Sequence, residues 1–197
     1  IHKLYISMKT ERKDGMAVTT GEAMQKFALF FSENIPDLLV VLGDRFEIFA
    51  AVSVAHMMNI PVAHISGGDV TEGAIDDALR HSMTKMSYLH FPGCEQSAER
   101  IIRMGEHPSR VFNVGELGVE NCLNLDLLSR QDLSKGLHID FIMTDYCVVT
   151  FHPVTMEKEN PEVQVYELIR AMDRLPNMSF IITMANADSG GQKINNI

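Results

Sequence analysis

Five apolar runs in this chain each stop at a short cluster of small or ionisable residues. The clusters are Gly43-Asp44-Arg45, Ser66-Gly67-Gly68-Asp69, Gly115-Glu116, His152-Pro153 and the stretch from Asn186 to Gly191 that reads NADSGG. Each offers a specific chemistry. Asp44 is either the cap of a following helix or an acid/base group at a strand tip. Arg45 is either a surface residue or a phosphate clamp, because its planar fork donates two hydrogen bonds to phosphate oxygens. Gly67 and Gly68 let backbone approach a ligand closely. The same stretch continues through Asp69, Glu72, Asp76, Asp77, Arg80 and His81. If Asp76 and Asp77 open a helix, their carboxylates favour its dipole, so capping alone explains one of them. Arg80 then lies one turn from both, and His81 four residues past Asp77, so acid, arginine and histidine share one face. His152 suits phosphate binding or proton transfer, and the Asn186 loop suits a sugar or phosphate.

These residues need a frame. Runs over 37–43, 60–66, 88–91, 111–115, 146–152 and 178–184 are short and rich in Val and Ile, and read as strands buried on both faces. Between them lie helical patterns over 21–35, 47–59, 75–86, 94–104 and 160–175. The last starts with Asn160 as N-cap and Pro161 at the first helical position. Strand and helix in alternation with short connections predict an α/β fold with parallel sheets. In such sheets ligands bind beyond the carboxyl ends of the strands, where all five clusters fall. The charged segment 125–141 interrupts the rhythm, and the predicted domains are 1–140 and 141–197.

Composition narrows the function classes. The chain has 197 residues, 46% hydrophobic content and a net charge of −9. No basic run or basic-aromatic interleaving appears, which argues against nucleic acid as partner. No apolar run approaches the ~20 residues of a membrane span. Cys94, Cys122 and Cys147 form no CxxC pair and are expected to be reduced, small buried hydrophobes in a cytoplasmic protein. The spacing of His56 and His64 fits no zinc motif, and no metal site is expected. There is no Walker loop, GxGxxG or GxSxG. The chain starts at Ile1 and ends on KINNI, and is read as a stretch of a longer protein.

GDRFE, HISGGDVTEGAIDDALRHSMTKMS, FHPVT and NADSGG, in this order and spacing, resemble the hydrolysing UDP-N-acetylglucosamine 2-epimerases. These enzymes open the bacterial sialic acid and legionaminic acid pathways. The resemblance runs from about residue 1 to 191 and implies two Rossmann-like domains in the GT-B arrangement, here truncated at both ends. It implies a UDP-sugar partner and no cofactor, and the exposed start of the second domain is expected to favour a homo-oligomer. The implied chemistry is anti elimination of UDP to a 2-acetamidoglucal, then syn addition of water to give the 2-epimeric free sugar. Asp44 and one of Asp76 and Asp77, preferably Asp77, match the family's catalytic carboxylates. His152 matches a histidine near the pyrophosphate, and Arg45, Gly115 and Asn186 match substrate-contacting positions. One position departs. Several relatives carry glutamate two residues after the histidine of HIS, where this chain has Ser66. A hydroxyl cannot replace a carboxylate at neutral pH. Either Asp69 or Glu72 takes over, or the substrate is the 2,4-diacetamido sugar of the legionaminic branch. A GT-B glycosyltransferase or a non-catalytic nucleotide-sugar binder are the competing readings. The nucleotide-gripping remainder of the second domain is missing from these 197 residues, so no robust turnover is expected of them alone.

Overall fold

The computed structural model describes residues 1–7, 14–140, 145–152, 160–185 and 190–197. The chain divides into two compact units, Ile1–Leu123 and Asn124–Ile197. The division comes at the start of the charged segment 125–141, which goes with the second unit.

In the first unit, helix α1 (Gly15–Glu33) leads into β1 (Leu39–Leu42), α2 (Phe46–Met57), β2 (Val62–Ile65), α3 (Ile75–Met86), β3 (Leu89–Phe91) and α4 (Glu95–Arg103). A 3-10 turn at Pro108–Arg110 precedes α5 (Leu117–Asn124). The three strands form a parallel sheet in the order β1-β2-β3. Leu42 stands opposite Ile65, and Ile65 opposite Phe91, so all three carboxyl ends finish level. The core is built from Phe31 of α1, Val41 of β1, Val52, Val54 and Ala55 of α2, Val62 of β2 and Met83 of α3. Burying a Val, Phe or Met side chain stabilises by roughly 1.5–3 kcal/mol. That gain is what fixes α1, α2 and α3 against the sheet.

In the second unit, α6 (Arg130–Leu137) precedes β4 (Asp145–Val149), α7 (Pro161–Met172), β5 (Met178–Ile182) and α8 (Gly191–Asn195). Strands β4 and β5 pair in parallel. The cap of α7 is the expected one: the Asn160 side chain accepts the Glu162 N–H at 3.2 Å, with Pro161 next. Helix α6 was not expected, although its cap follows the same rule, with Ser129 Oγ accepting the Asp132 N–H at 3.1 Å.

Four expectations need correction. Segment 111–115 is not a full strand. Only Val111 bridges to His90, because Pro92 follows β3 and has no N–H to continue the ladder. Burial on both faces fits β2 but not β1, where Val41 is 6% exposed while Val40 is 57% and Leu42 53% exposed. In the described sheet β1 is an edge strand, and the core lies on one of its faces. Helix α1 begins at Gly15, before the predicted start at Gly21. Finally, Cys94, Cys122 and Cys147 are all exposed. Cys94 sits at the N-cap of α4, Cys122 on a helix with no buried residue, and Cys147 on the two-stranded sheet.

Candidate active site at the strand tips

The level carboxyl ends of β1 and β2 bring the first two clusters together. Gly43 closes β1 by donating its N–H to the Ile65 carbonyl at 3.1 Å. Arg45, not Asp44, then takes the N-cap position of α2, with no side-chain cap bond. Asp44 therefore does not hold the cap position of α2. Its carboxylate turns away from the helix and pairs with Arg80.

Arg80 is the hub. Its side chain is 7% exposed, against 25% for Asp44. One terminal nitrogen donates to Asp44 Oδ2 and, at 2.9 Å, to Thr71 Oγ1. The other donates to the Asp69 carbonyl at 2.9 Å and lies 3.7 Å from Asp77. Asp77 Oδ1 accepts the Thr71 N–H at 2.8 Å, and His81 Nε2 lies 3.7 Å from its other oxygen. The β1 tip, the loop after β2 and the first turns of α3 are thus tied by one guanidinium. A buried arginine is tolerable only because its charge is paired and its donors are used. Three of its hydrogen bonds go to groups of the protein itself, so Arg80 serves as an internal strut.

The loop after β2 is shaped by sterics. Gly68 has φ 83°, and a Cβ there would come within 2.5 Å of the Ser97 carbonyl oxygen. Its own carbonyl accepts from Arg100. Asp69 follows, and its carboxylate accepts from Ser97 Oγ on α4. Glu72 is exposed, and Asp76 is half-buried in the first turn of α3. Arg45 is 41% exposed and holds Glu47 with two bonds of 3.2 Å, an anion fork that an incoming phosphate would have to replace.

Beneath the tips lies His64, fully buried on β2. Its Nε2 is 2.8 Å from the Gly43 carbonyl oxygen, which can only accept, so Nε2 carries the hydrogen. Nδ1 faces Thr84 Oγ1 at 3.3 Å. Burial holds the pKa of His64 below its ordinary value, and the bond to Gly43 offsets that only in part. The neutral ring therefore pins the turn that carries Asp44.

One acid was not singled out as a site residue from the sequence. Glu116 follows Gly115, whose φ is 82°. Ser66 Oγ donates to its two carboxylate oxygens at 3.3 and 3.5 Å. The signal was its place at the end of an apolar run.

The second unit holds His152, exposed just beyond β4. Thr150 and Thr183 join their hydroxyls at 2.8 Å past the ends of β4 and β5. Asn195 clamps Ala185, accepting its N–H at 2.7 Å and donating to its carbonyl at 3.1 Å. Asn186, expected to touch substrate, lies outside the described residues. Among the described residues no three His, Cys, Asp or Glu side chains are grouped to hold a metal ion, and no helix is long and apolar enough to cross a membrane.

Comparison with known proteins adds independent weight. The chain is 42% identical over 190 residues to polysialic acid biosynthesis protein P7 of Escherichia coli, covering 96% of the chain and 48% of that protein. It is 38% identical over 195 residues to the GDP/UDP-N,N'-diacetylbacillosamine 2-epimerase (hydrolyzing) of Campylobacter jejuni, covering 99% and 50%. The chain thus spans about half the length of these relatives. Its fold resembles that of the Neisseria meningitidis UDP-GlcNAc 2-epimerase bound to UDP-GlcNAc, with a TM-score of 0.74 at 17% identity over 96% of the chain and 53% of that structure. The Methanocaldococcus jannaschii UDP-GlcNAc 2-epimerase in complex with UDP-GlcNAc and UDP gives 0.71 at 18% identity, over 92% and 50%. The model of the UDP-N-acetylglucosamine 2-epimerase family matches residues 1–197 without remainder, and the chain belongs to that family.

Proposed function

We propose that the protein containing this chain is a hydrolysing 2-epimerase of a UDP-2-acetamido sugar. The observation that carries this reading is Asp44, a partly exposed carboxylate at a strand tip, held in place by the buried Arg80. The C2 hydrogen of such a sugar is only weakly acidic, so its removal needs a fixed carboxylate base. Asp44 takes that proton. The C2–H electron pair becomes the C1=C2 bond, and the C1–O bond to the pyrophosphate breaks with its pair leaving on UDP. Water then adds to the 2-acetamidoglucal, and C2 regains hydrogen on the other face. Elimination and hydration together leave the oxidation level unchanged, so the bond changes require no redox cofactor. Asp77 and His81 extend the Asp44 network along α3. Arg45 is the group assigned to the departing pyrophosphate, where a cationic donor stabilises developing charge.

The substrate carries either one or two acetamido groups. The relatives named as N,N'-diacetylbacillosamine 2-epimerases, at 38% and 31% identity, exceed the 26% of the Neisseria meningitidis UDP-N-acetylglucosamine 2-epimerase. The polysialic acid biosynthesis protein P7 stands higher still at 42%, so identity alone selects neither sugar. Presenting the full-length protein with each UDP-sugar separates the two. The reading predicts UDP together with a free 2-epimeric sugar from at least one of them. Sugar transferred to an added acceptor, with UDP released only then, would instead identify a glycosyltransferase, and binding without turnover would identify a sensor.

A further inference from the structure

Glu116 reaches the strand tips along the segment that follows the 3-10 turn. The segment after the 3-10 turn runs alongside β3, with Phe112 N–H donating to the His90 carbonyl at 2.9 Å and Val114 N–H to the Pro92 carbonyl at 3.2 Å. The rings of Phe91 and Phe112 stack at 5.7 Å between centroids and hold the two stretches together. Gly115 then turns the chain. The Glu116 side chain folds back over Gly93, where a Cβ would collide with Oε2. This notch delivers the carboxylate to Ser66. Ser66 itself sits at φ 59°, a left-handed conformation that non-glycine residues rarely adopt. It stands at the carboxyl end of β2, next to the β1 tip that carries Asp44.

We propose that Glu116 is the acid/base group that adds water across the glycal intermediate. This rests on the reaction proposed above. In that step the water oxygen bonds to C1 and a hydrogen returns to C2 on the same face. One carboxyl group on that face does both tasks. It takes a proton from the water as the C1–O bond forms, and gives a proton to C2 as the C1=C2 pair becomes the new C–H bond. Its own charge is the same before and after. Two of the acids in the loop after β2 and the start of α3 are committed elsewhere. Asp69 accepts from Ser97, and Asp77 accepts from the Thr71 N–H and faces Arg80 and His81. Glu116 is exposed, and among the described residues its carboxylate is held by the Ser66 hydroxyl. Glu116 thus supplies the carboxylate that Ser66 lacks.

The test uses the full-length protein and its UDP-sugar, following UDP, glycal and free epimer separately. A wild-type protein that releases no UDP refutes the proposed function itself, whatever Glu116 does. Given an active wild type, Glu116→Gln is expected to retain the elimination half-reaction and accumulate 2-acetamidoglucal. Epimer formation should fall by at least ~10²-fold, the scale of a lost acid/base group. Glu116→Asp should recover part of it. Gly93→Ala, which expels the carboxylate from its notch, should accumulate the same intermediate. Glu116 is exposed, so thermal midpoints of the variants should match wild type. Wild-type epimer formation by Glu116→Gln overturns the proposal. So does equal loss of UDP release and epimer with no glycal, because that places Glu116 in the elimination step.

Discussion

Arg80 shows how one side chain sets the properties of several others. Its donors serve Asp44, Thr71 and the Asp69 carbonyl from a position almost closed to solvent. Arg80→Ala removes the hydrogen bond that each of these acceptors receives from it. Breaking one side of a buried pair costs roughly 3–5 kcal/mol, and partial solvation of Asp44 places this case near the lower end. Arg80→Lys keeps the charge but loses the fork, and should fall between wild type and alanine. Chemical denaturation of the three proteins checks the order. Equal stability of wild type and Arg80→Ala would remove the strut from the account. The pairing of Arg80 with Asp77 was legible in the sequence, because helical spacing of three and four fixes which residues meet. Its bond to Asp44 spans 36 positions, and the Ser66–Glu116 contact spans 50. No local pattern encodes such distances. What the sequence showed was only that Asp44, Ser66 and Glu116 stand at the ends of apolar runs.

The elements that carry the site also carry a pH response. His64 on β2 and His90 on β3 are cross-strand neighbours, and both are buried. Burial holds both pKa values below the ordinary 6.5, although Glu106 beside His90 acts in the opposite direction. Glu106 is itself pushed up by burial, but Lys85 and then His90 outweigh this and leave it below its ordinary 4.5. The unfolded chain therefore binds protons on these histidines before the folded chain does. Stability is full above pH 6.5 and falls as pH drops from there toward the depressed folded values. A second loss follows below pH 4.5 as Glu106 protonates. Urea midpoints measured from pH 8 to pH 4 should decline from about the first of these values, and His64→Gln should flatten that decline. A flat profile down to pH 5 would show that the buried histidines do not govern it. Most of these elements could be read in advance, since β2 is a short continuous apolar run, α2 is apolar along most of its length and α3 has one apolar face. Segment 111–115 was misread because its Val and Phe residues look like a strand while the missing donor belongs to Pro92, nineteen or more positions earlier. Helices α5 and α6 were missed because none of their residues is buried, so no apolar face announced them.

Across the whole molecule, the two parallel-sheet units divide the proposed tasks. The first unit contains Asp44, Arg80, Ser66 and Glu116, and the second contains His152 and the Asn186 loop. The chain spans about half the length of the relatives it matches. We therefore expect the 197 residues assayed alone to show no turnover, and a protein of the relatives' length to show it. Full activity from these residues alone would refute the assignment of part of the UDP grip to the remaining length. The alternation of strand and helix made the α/β class legible, whereas the site depends on contacts between distant segments.

The most direct measurement is turnover of the full-length protein in deuterated water, with the released sugar examined at C2. The account predicts UDP release, a 2-epimeric free sugar carrying deuterium at C2, and a fall of roughly 10²–10⁴-fold in rate for Asp44→Asn. UDP release with the original hydrogen retained at C2 would contradict it.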